Sequence, residues 1–169
     1  EMRKNERGLT DIQRAANFYY LLRAAFSCQL DGSFSYSRER KTSLKLGDEL
    51  REHLSSIHDR LQNVVIENAS YDYVIKRMDA PETLFYLDPP YWDCENDYGH
   101  GIWSKQDFYN LKEQLDKIKG KFILSLNDTP EVRELFKGYK FEQKKIRWSV
   151  NNKAAHEDHN GNELIINNF

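Results

Sequence analysis

Apolar residues recur at helical spacing from the start of the chain: Ile12, Ala15, Ala16, Tyr19, Leu22 and Phe26 follow Thr10, and Gln13 completes a capping-box pattern with that threonine. This predicts a first helix. The stretch from Asp31 to Lys41 has neither a helical period nor an apolar core of its own, and reads as a loop or hairpin projecting from the fold. Helical spacing returns between Gly47 and Gln62, with Leu50, Leu54, Ile57 and Leu61 on one face. Asn63-Val64-Val65-Ile66-Glu67 reads as a short strand and Tyr71 to Arg77 as a helix. The apolar run Thr83-Leu84-Phe85-Tyr86-Leu87 predicts a buried strand. Ser104 to Ile118 predicts a helix whose Phe108, Leu111, Leu115 and Ile118 are spaced to cover a sheet, and Phe122 to Leu126 returns as a second buried strand. Such a strand–helix–strand unit implies a parallel pair. Pro130 opens a short helix through Phe136, with Glu131 and Glu134 near its positive end. Residues 139–149 and 163–169 read as two antiparallel strands joined by a polar loop, Asn151 to Asn162.

Composition narrows the class without naming a function. At 169 residues, 39% hydrophobic and 31% charged, the chain is globular and sized for one core. No apolar run approaches the roughly 20 residues of a membrane span, and the charged opening Glu1-Met2-Arg3-Lys4 is not a secretory signal. Cys28 and Cys94 lack metal-ligand spacing, which points to a reducing, cytoplasmic setting. A net charge of −2 argues against adhesion to nucleic acid over the whole surface while leaving room for a local basic face. The expected division is a helical segment at 1–62 followed by an α/β portion at 63–169.

The candidate chemistry sits where the buried strand ends, at Asp88-Pro89-Pro90-Tyr91. Each proline fixes its own φ, lacks an N–H, and pushes the residue before it into an extended conformation. Asp88 and Pro89 are therefore held splayed. A carboxylate and a bare carbonyl can accept the two hydrogens of a planar amine while Tyr91 stacks on its ring. The plainer reading is a strand closed by a Pro-Pro turn, with Asp88 as its cap.

The rest of the chain supplies a context for the first reading. After the motif come a loop from Trp92 to Gly101, a helix, a second apolar strand ending at Ser125-Leu126-Asn127-Asp128, a late Arg147-Trp148-Ser149, and a terminal Glu163-Leu164-Ile165-Ile166. In this order the elements resemble Dam-type adenine-specific DNA methyltransferases, closely over residues 60–169 and more loosely over 9–50. The resemblance implies an α/β fold, part of a three-layer Rossmann-like methyltransferase: a parallel sheet, a C-terminal antiparallel hairpin, and a helical and loop insert that recognises the target. It implies S-adenosylmethionine as cofactor, double-stranded DNA as partner, and methylation of the adenine amino group after base flipping. By the same resemblance Asp88, Pro89, Pro90 and Tyr91 are catalytic, and Asp88, Glu67, Asn68, Ser70 and Tyr71 hold the cofactor. A bacterial, archaeal or phage-encoded enzyme of the cytoplasm is implied, in a restriction-modification or an orphan role.

For DNA, the candidates are Arg38, Arg40, Lys41 and Lys45 with Tyr36, then Tyr98 in the loop after the motif, and Lys144 and Arg147 on a second basic strand. Cations suit phosphates, and aromatic rings suit bases. Trp103, beside the same loop, is expected to staple the following helix to the sheet. His156-Glu157-Asp158-His159 sits in an Asn-rich polar loop without the ligand set a zinc site needs, so no metal is expected. Two rival enzymes share the motif, one acting on cytosine, where Ser commonly replaces Asp, and one on protein glutamine, usually with Asn. A rival of another class is a catalytically silent DNA-binding or assembly module descended from such enzymes.

The chain departs from the resembled family in lacking its glycine-rich cofactor loop. That departure suggests a piece of a longer enzyme, with a sheet edge open to a homodimer or another segment. The 169 residues alone are therefore expected to bind S-adenosylmethionine poorly and to be inactive. Calorimetric titration of this segment checks the point, and micromolar binding would place the cofactor elsewhere.

Overall fold

The computed structural model describes residues 8–24, 47–97, 99–147 and 160–169. The chain divides into two compact units, Glu1–Glu67 and Asn68–Phe169. The first contains helices α1 (Asp11–Ala24) and α2 (Asp48–Leu61). The capping box read from the sequence opens α1: the Thr10 amide donates to Gln13 Oε1 at 2.9 Å, and the Gln13 amide donates to Thr10 Oγ1 at 3.3 Å. Helix α2 forms where its periodicity predicted, yet none of its residues is buried. Its apolar face, including Leu54, Ile57 and Leu61, lies exposed.

The expected strand at 63–67 does not form, and Val64, Val65 and Ile66 are exposed. An apolar run becomes a strand only where a neighbour completes its hydrogen bonds. No described strand pairs with this one.

The second unit is built on a four-stranded sheet, ordered β1-β2-β4-β3, with α3 (Tyr71–Met78), α4 (Lys105–Leu115) and α5 (Pro130–Leu135). Strands β1 (Leu84–Leu87) and β2 (Lys121–Asn127) run parallel, as a strand–helix–strand crossover requires. Strand β4 (Asn160–Asn167) inserts between β2 and β3 (Lys140–Arg147), antiparallel to both. The class is mixed α/β, as expected, with the parallel pair and the terminal antiparallel hairpin both present.

One face of this sheet carries the core. Phe85, Phe122, Leu124, Leu126, Leu164 and Ile166 pack with Ile75 of α3, with Phe108, Leu111 and Leu115 of α4, and with Val132 and Phe136 at α5. Side chains alternate across a strand, so the other face of β1 presents Leu84 and Tyr86, which remain 56% and 66% exposed. Two local devices set the elements in register. Ser104 and Asp107 form a reciprocal capping box at α4. At the opposite end of the unit, Asp79 accepts from the amides of Lys119 and Gly120 at 2.9–3.0 Å. A side chain at Gly120 would meet the carbonyl oxygens of Thr83 and Ala80 at 2.7 and 2.9 Å, so the turn into β2 admits only glycine without rearrangement.

Candidate active site

Asp88-Pro89-Pro90-Tyr91 leaves the carboxyl end of β1, the end at which open α/β sheets bind ligands. The two prolines cannot donate to a ladder, and the chain beyond them is fastened by a turn bond from the Cys94 amide to the Tyr91 carbonyl at 2.9 Å and by side chains. Asn127, the last residue of β2, grips Trp92 twice: its Oδ1 accepts from the Trp92 amide at 2.8 Å and its Nδ2 donates to the Trp92 carbonyl at 3.0 Å. Tyr91 is half-buried, and its hydroxyl donates to Glu163 Oε1 on β4 at 2.8 Å. The Ser125 hydroxyl donates to the same Glu163 oxygen, from a β2 position that is 1% exposed.

Asp88 contrasts with its neighbours. It is exposed, and among the described residues no donor satisfies its carboxylate. The surrounding protein still removes part of its hydration, and this desolvation, followed by repulsion from Glu163, holds its carboxyl above the ordinary aspartate range. Burial, and then the bond to Glu163, push the Tyr91 phenol well above its usual value. Tyr91 thus stays protonated and donates, with the carboxylate accepting.

The segment after the motif is anchored by Lys105 at the start of α4. Its ammonium pairs with Asp93 at 2.5 Å and with Glu95 at 3.2 Å, and lies 3.7 Å from the centre of the Trp92 ring. Trp92 is buried against Phe108, so it is structural here and not free to meet a base. Trp103 packs on Phe108 of α4 and Tyr71 of α3, so the ring contacts join two helices where a link from helix to sheet was expected.

Of the cofactor candidates, Glu67 ends the first unit, and Asn68, Ser70 and Tyr71 open the second. Ser70 and Tyr71 line a groove of about 700 Å³ along α3 and α4, together with Trp103 and Asp107. The Trp103 indole N–H is buried there without a hydrogen-bond partner. The motif residues do not line this groove. Among the DNA candidates, Arg38, Arg40, Lys41, Lys45, Tyr36 and Tyr98 lie outside the described residues. Lys144 is exposed on β3, ion-paired with Glu142 and in register with Glu163, which brings one cation to the strand beside the site. Arg147 closes β3.

Three residues with a part in this geometry carried no role in the sequence reading: Ser125, Asn127 and Glu163. Their signal was a polar residue inside or ending an otherwise apolar strand, which costs free energy unless a partner satisfies it.

The chain matches D12 class N6 adenine-specific DNA methyltransferases over residues 1–150. It belongs to that family. It is also similar to the type II methyltransferase M.CviBI of Paramecium bursaria Chlorella virus NC1A, at 26% identity over 164 residues, covering 94% of this chain and 62% of that protein. This D12-family chain therefore spans about 62% of the length of the curated relative. The resemblance read from Asp88-Pro89-Pro90-Tyr91 and its flanking elements and the family match agree.

The double clamp on Trp92 gives a direct test of how the motif is held. Asn127→Ala leaves an amide and a carbonyl without partners, and each such group costs about 1–3 kcal/mol when buried. The expected outcome is a lower unfolding midpoint and faster proteolysis within residues 92–97, read by thermal denaturation and limited digestion. Unchanged protease sensitivity there would show that the prolines, the Tyr91–Glu163 bond and the Lys105 ion pairs hold the loop without Asn127.

Proposed function

We propose that this chain carries the catalytic motif of an enzyme that methylates the exocyclic amino group of adenine in double-stranded DNA, with S-adenosylmethionine as methyl donor. The observation that carries the proposal is the pairing of an unsatisfied carboxylate, Asp88, with an aromatic ring held by its hydroxyl, Tyr91, where β1 ends. The donor set suits a cationic ligand: the charge that acts on Asp88 comes from a second carboxylate, Glu163. A nearby positive charge relieves that repulsion. Asp88 is the residue offered to the cofactor at this end of the sheet, with Glu67, Asn68, Ser70 and Tyr71 offered to its adenosine.

When bound, S-adenosylmethionine supplies an electrophilic methyl group on a positively charged sulfur. The chain's own residues deal with the amine. Adenine's amino nitrogen is a poor nucleophile because its lone pair is delocalised into the ring. Asp88 accepts one of its hydrogens and the Pro89 carbonyl the other, which favours a pyramidal nitrogen and aims the lone pair out of the ring plane. As the new N–C bond formed and the methyl–sulfur bond broke, its electron pair staying on sulfur, the proton shed by nitrogen would pass to the Asp88 carboxylate, whose raised pKa makes it a better base than free aspartate. Tyr91 stacks on the base, an interaction worth about 1–3 kcal/mol in single-strand binders. A base inside a duplex cannot reach the end of β1, so the nucleotide is flipped out first. Lys144, with Arg147 and the basic run Arg38, Arg40, Lys41 and Lys45, is offered to phosphates, and Tyr36 and Tyr98 to bases.

Asp88→Ala in the full-length protein tests the assignment. Methyl transfer should fall by at least about a hundredfold, the scale on which one transition-state hydrogen-bonding group acts, while DNA affinity stays near normal. Near-normal turnover would remove Asp88 from the mechanism. The pH profile adds a sign. Asp88 accepts only as a carboxylate and its pKa is raised, so kcat/KM should fall as pH drops through a value above that of an ordinary aspartate.

The DNA assignment has its own measurement. Neutralising Arg38, Arg40 and Lys41 together should weaken binding and flatten its dependence on salt, by roughly 0.9 in log–log slope for each phosphate that these side chains neutralise. A salt slope equal to the unsubstituted protein's would mean that these cations face solvent only.

A further inference from the structure

We propose that Glu163 is a positioning residue for the target base, acting through the Tyr91 hydroxyl. The inference rests on the reading of Tyr91 as the ring that stacks on the flipped adenine, and deepens it. A tyrosine anchored only at its Cβ can swing about two side-chain torsions, so its face sweeps a cone. Held also at its far end, the ring keeps its long axis fixed and presents its face at one place beside Asp88. The 2.8 Å bond from Tyr91 to Glu163 supplies that second anchor, bridging residues 72 positions apart in sequence.

The anchor is itself immobilised. Glu163 lies on β4, directly opposite Asn127 of β2 in the antiparallel register. The hydroxyl of Ser125, two residues earlier on β2 and 1% exposed, donates to the same Oε1 that receives the tyrosine. The bond to Tyr91 therefore runs from the loop into the middle of the sheet, through two strands that share a hydrogen-bonded ladder. Asn127 meanwhile fixes the backbone of the very next residue, Trp92. The ring is thus held at its hydroxyl by Glu163, while the chain that carries it is fixed one residue further on.

A purely structural role makes different demands. To tie β4 to β2, any acceptor for Ser125 would serve, and the Tyr91 hydroxyl would be incidental. The bond to the ring matters only if the orientation of the ring matters, so the two accounts separate on Tyr91→Phe, which keeps the ring and removes the anchor. They also separate on Glu163→Gln, which keeps a carbonyl oxygen able to accept from Tyr91 and removes the charge.

Steady-state kinetics of the full-length protein on duplex DNA containing its target site provide the test. Glu163→Gln is expected to keep KM for DNA within about twofold of the unsubstituted enzyme, since the acceptor survives, while the acid limb of its pH profile moves down because the charge that helps to raise the Asp88 pKa is gone. Glu163→Ala should raise KM for DNA by about tenfold, and Tyr91→Phe should do the same with KM for S-adenosylmethionine unchanged. Because both substitutions break the same Tyr91–Glu163 bond, the double variant should raise KM for DNA no further than either single one, instead of showing the hundredfold or so to which independent effects would multiply.

A fall in kcat for Glu163→Ala with both KM values unchanged, which is what loss of folded protein produces, overturns the proposal. So does a multiplying double variant, or a Glu163→Gln variant as impaired as Glu163→Ala. Should Glu163→Ala fail to fold, the comparison of Glu163→Gln with Tyr91→Phe still decides: an unimpaired Tyr91→Phe overturns the proposal, whereas an impaired Tyr91→Phe beside an intact Glu163→Gln supports it. Asp88→Ala, measured alongside, separates the two levels. If it retains turnover, the reading of the whole site fails; if it abolishes turnover while the Glu163 variants give an overturning result, only the role of Glu163 fails.

Discussion

Two consecutive prolines deny the chain leaving β1 the backbone donors with which it could extend the sheet. Apart from the turn in which the Cys94 amide donates to the Tyr91 carbonyl at 2.9 Å, what fixes that segment comes from side chains, on β2, on β4 and from Lys105 at the start of α4. Asn127 at the end of β2 replaces the missing ladder with a two-bond grip on Trp92, and Glu163 on β4 receives Tyr91. The placement of β4 directly beside β2 is what makes this possible. With β3 in that position instead, no residue of β4 would lie across from Asn127. The terminal hairpin thus completes the motif, and the site depends on residues far apart in sequence meeting on one small area of sheet.

The same architecture leaves a second face unfinished. Core residues cover the helix side of the sheet, while Leu84 and Tyr86 of β1 face outward and β1 stands at the edge with one side unpaired among the described residues. An unpaired strand beside exposed apolar side chains is a template for pairing. Pairing through this edge, with a second copy or with another segment of the protein, would shelter both the backbone groups and the two side chains, and it would do so next to Asp88.

How much of this was legible in the sequence follows from the range of the forces involved. Local rules worked where the structure is local. The Thr10–Gln13 cap, the α4 stripe Phe108-Leu111-Leu115, and the two apolar strands flanking it all lie where spacing put them. Pattern failed where the outcome depended on a distant partner. Val64-Val65-Ile66 has strand composition and no described strand to join. The stripe of α2 has helical spacing and buries nothing. Glu163 could be seen as an oddity in an apolar terminal strand, but its meaning required knowing that β4 lies against β2 with Asn127 opposite, and no rule of spacing carries that information.

The electrostatic arrangement gives the site its character. Burying polar groups is tolerable when each finds a partner, and here Tyr91, Ser125 and Glu163 satisfy one another while Asp88 is left open. That division suits an amine-binding site. The groups that must not move are locked into the sheet, and the one that must change partners during a reaction is free to do so. The cost is two carboxylates close enough for one to raise the pKa of the other, in a chain whose net charge is already −2. A polyanion approaching this end of the sheet needs cations nearby to offset that field. Lys144, in register with Glu163 on the adjacent strand, is one described cation on that side of the sheet.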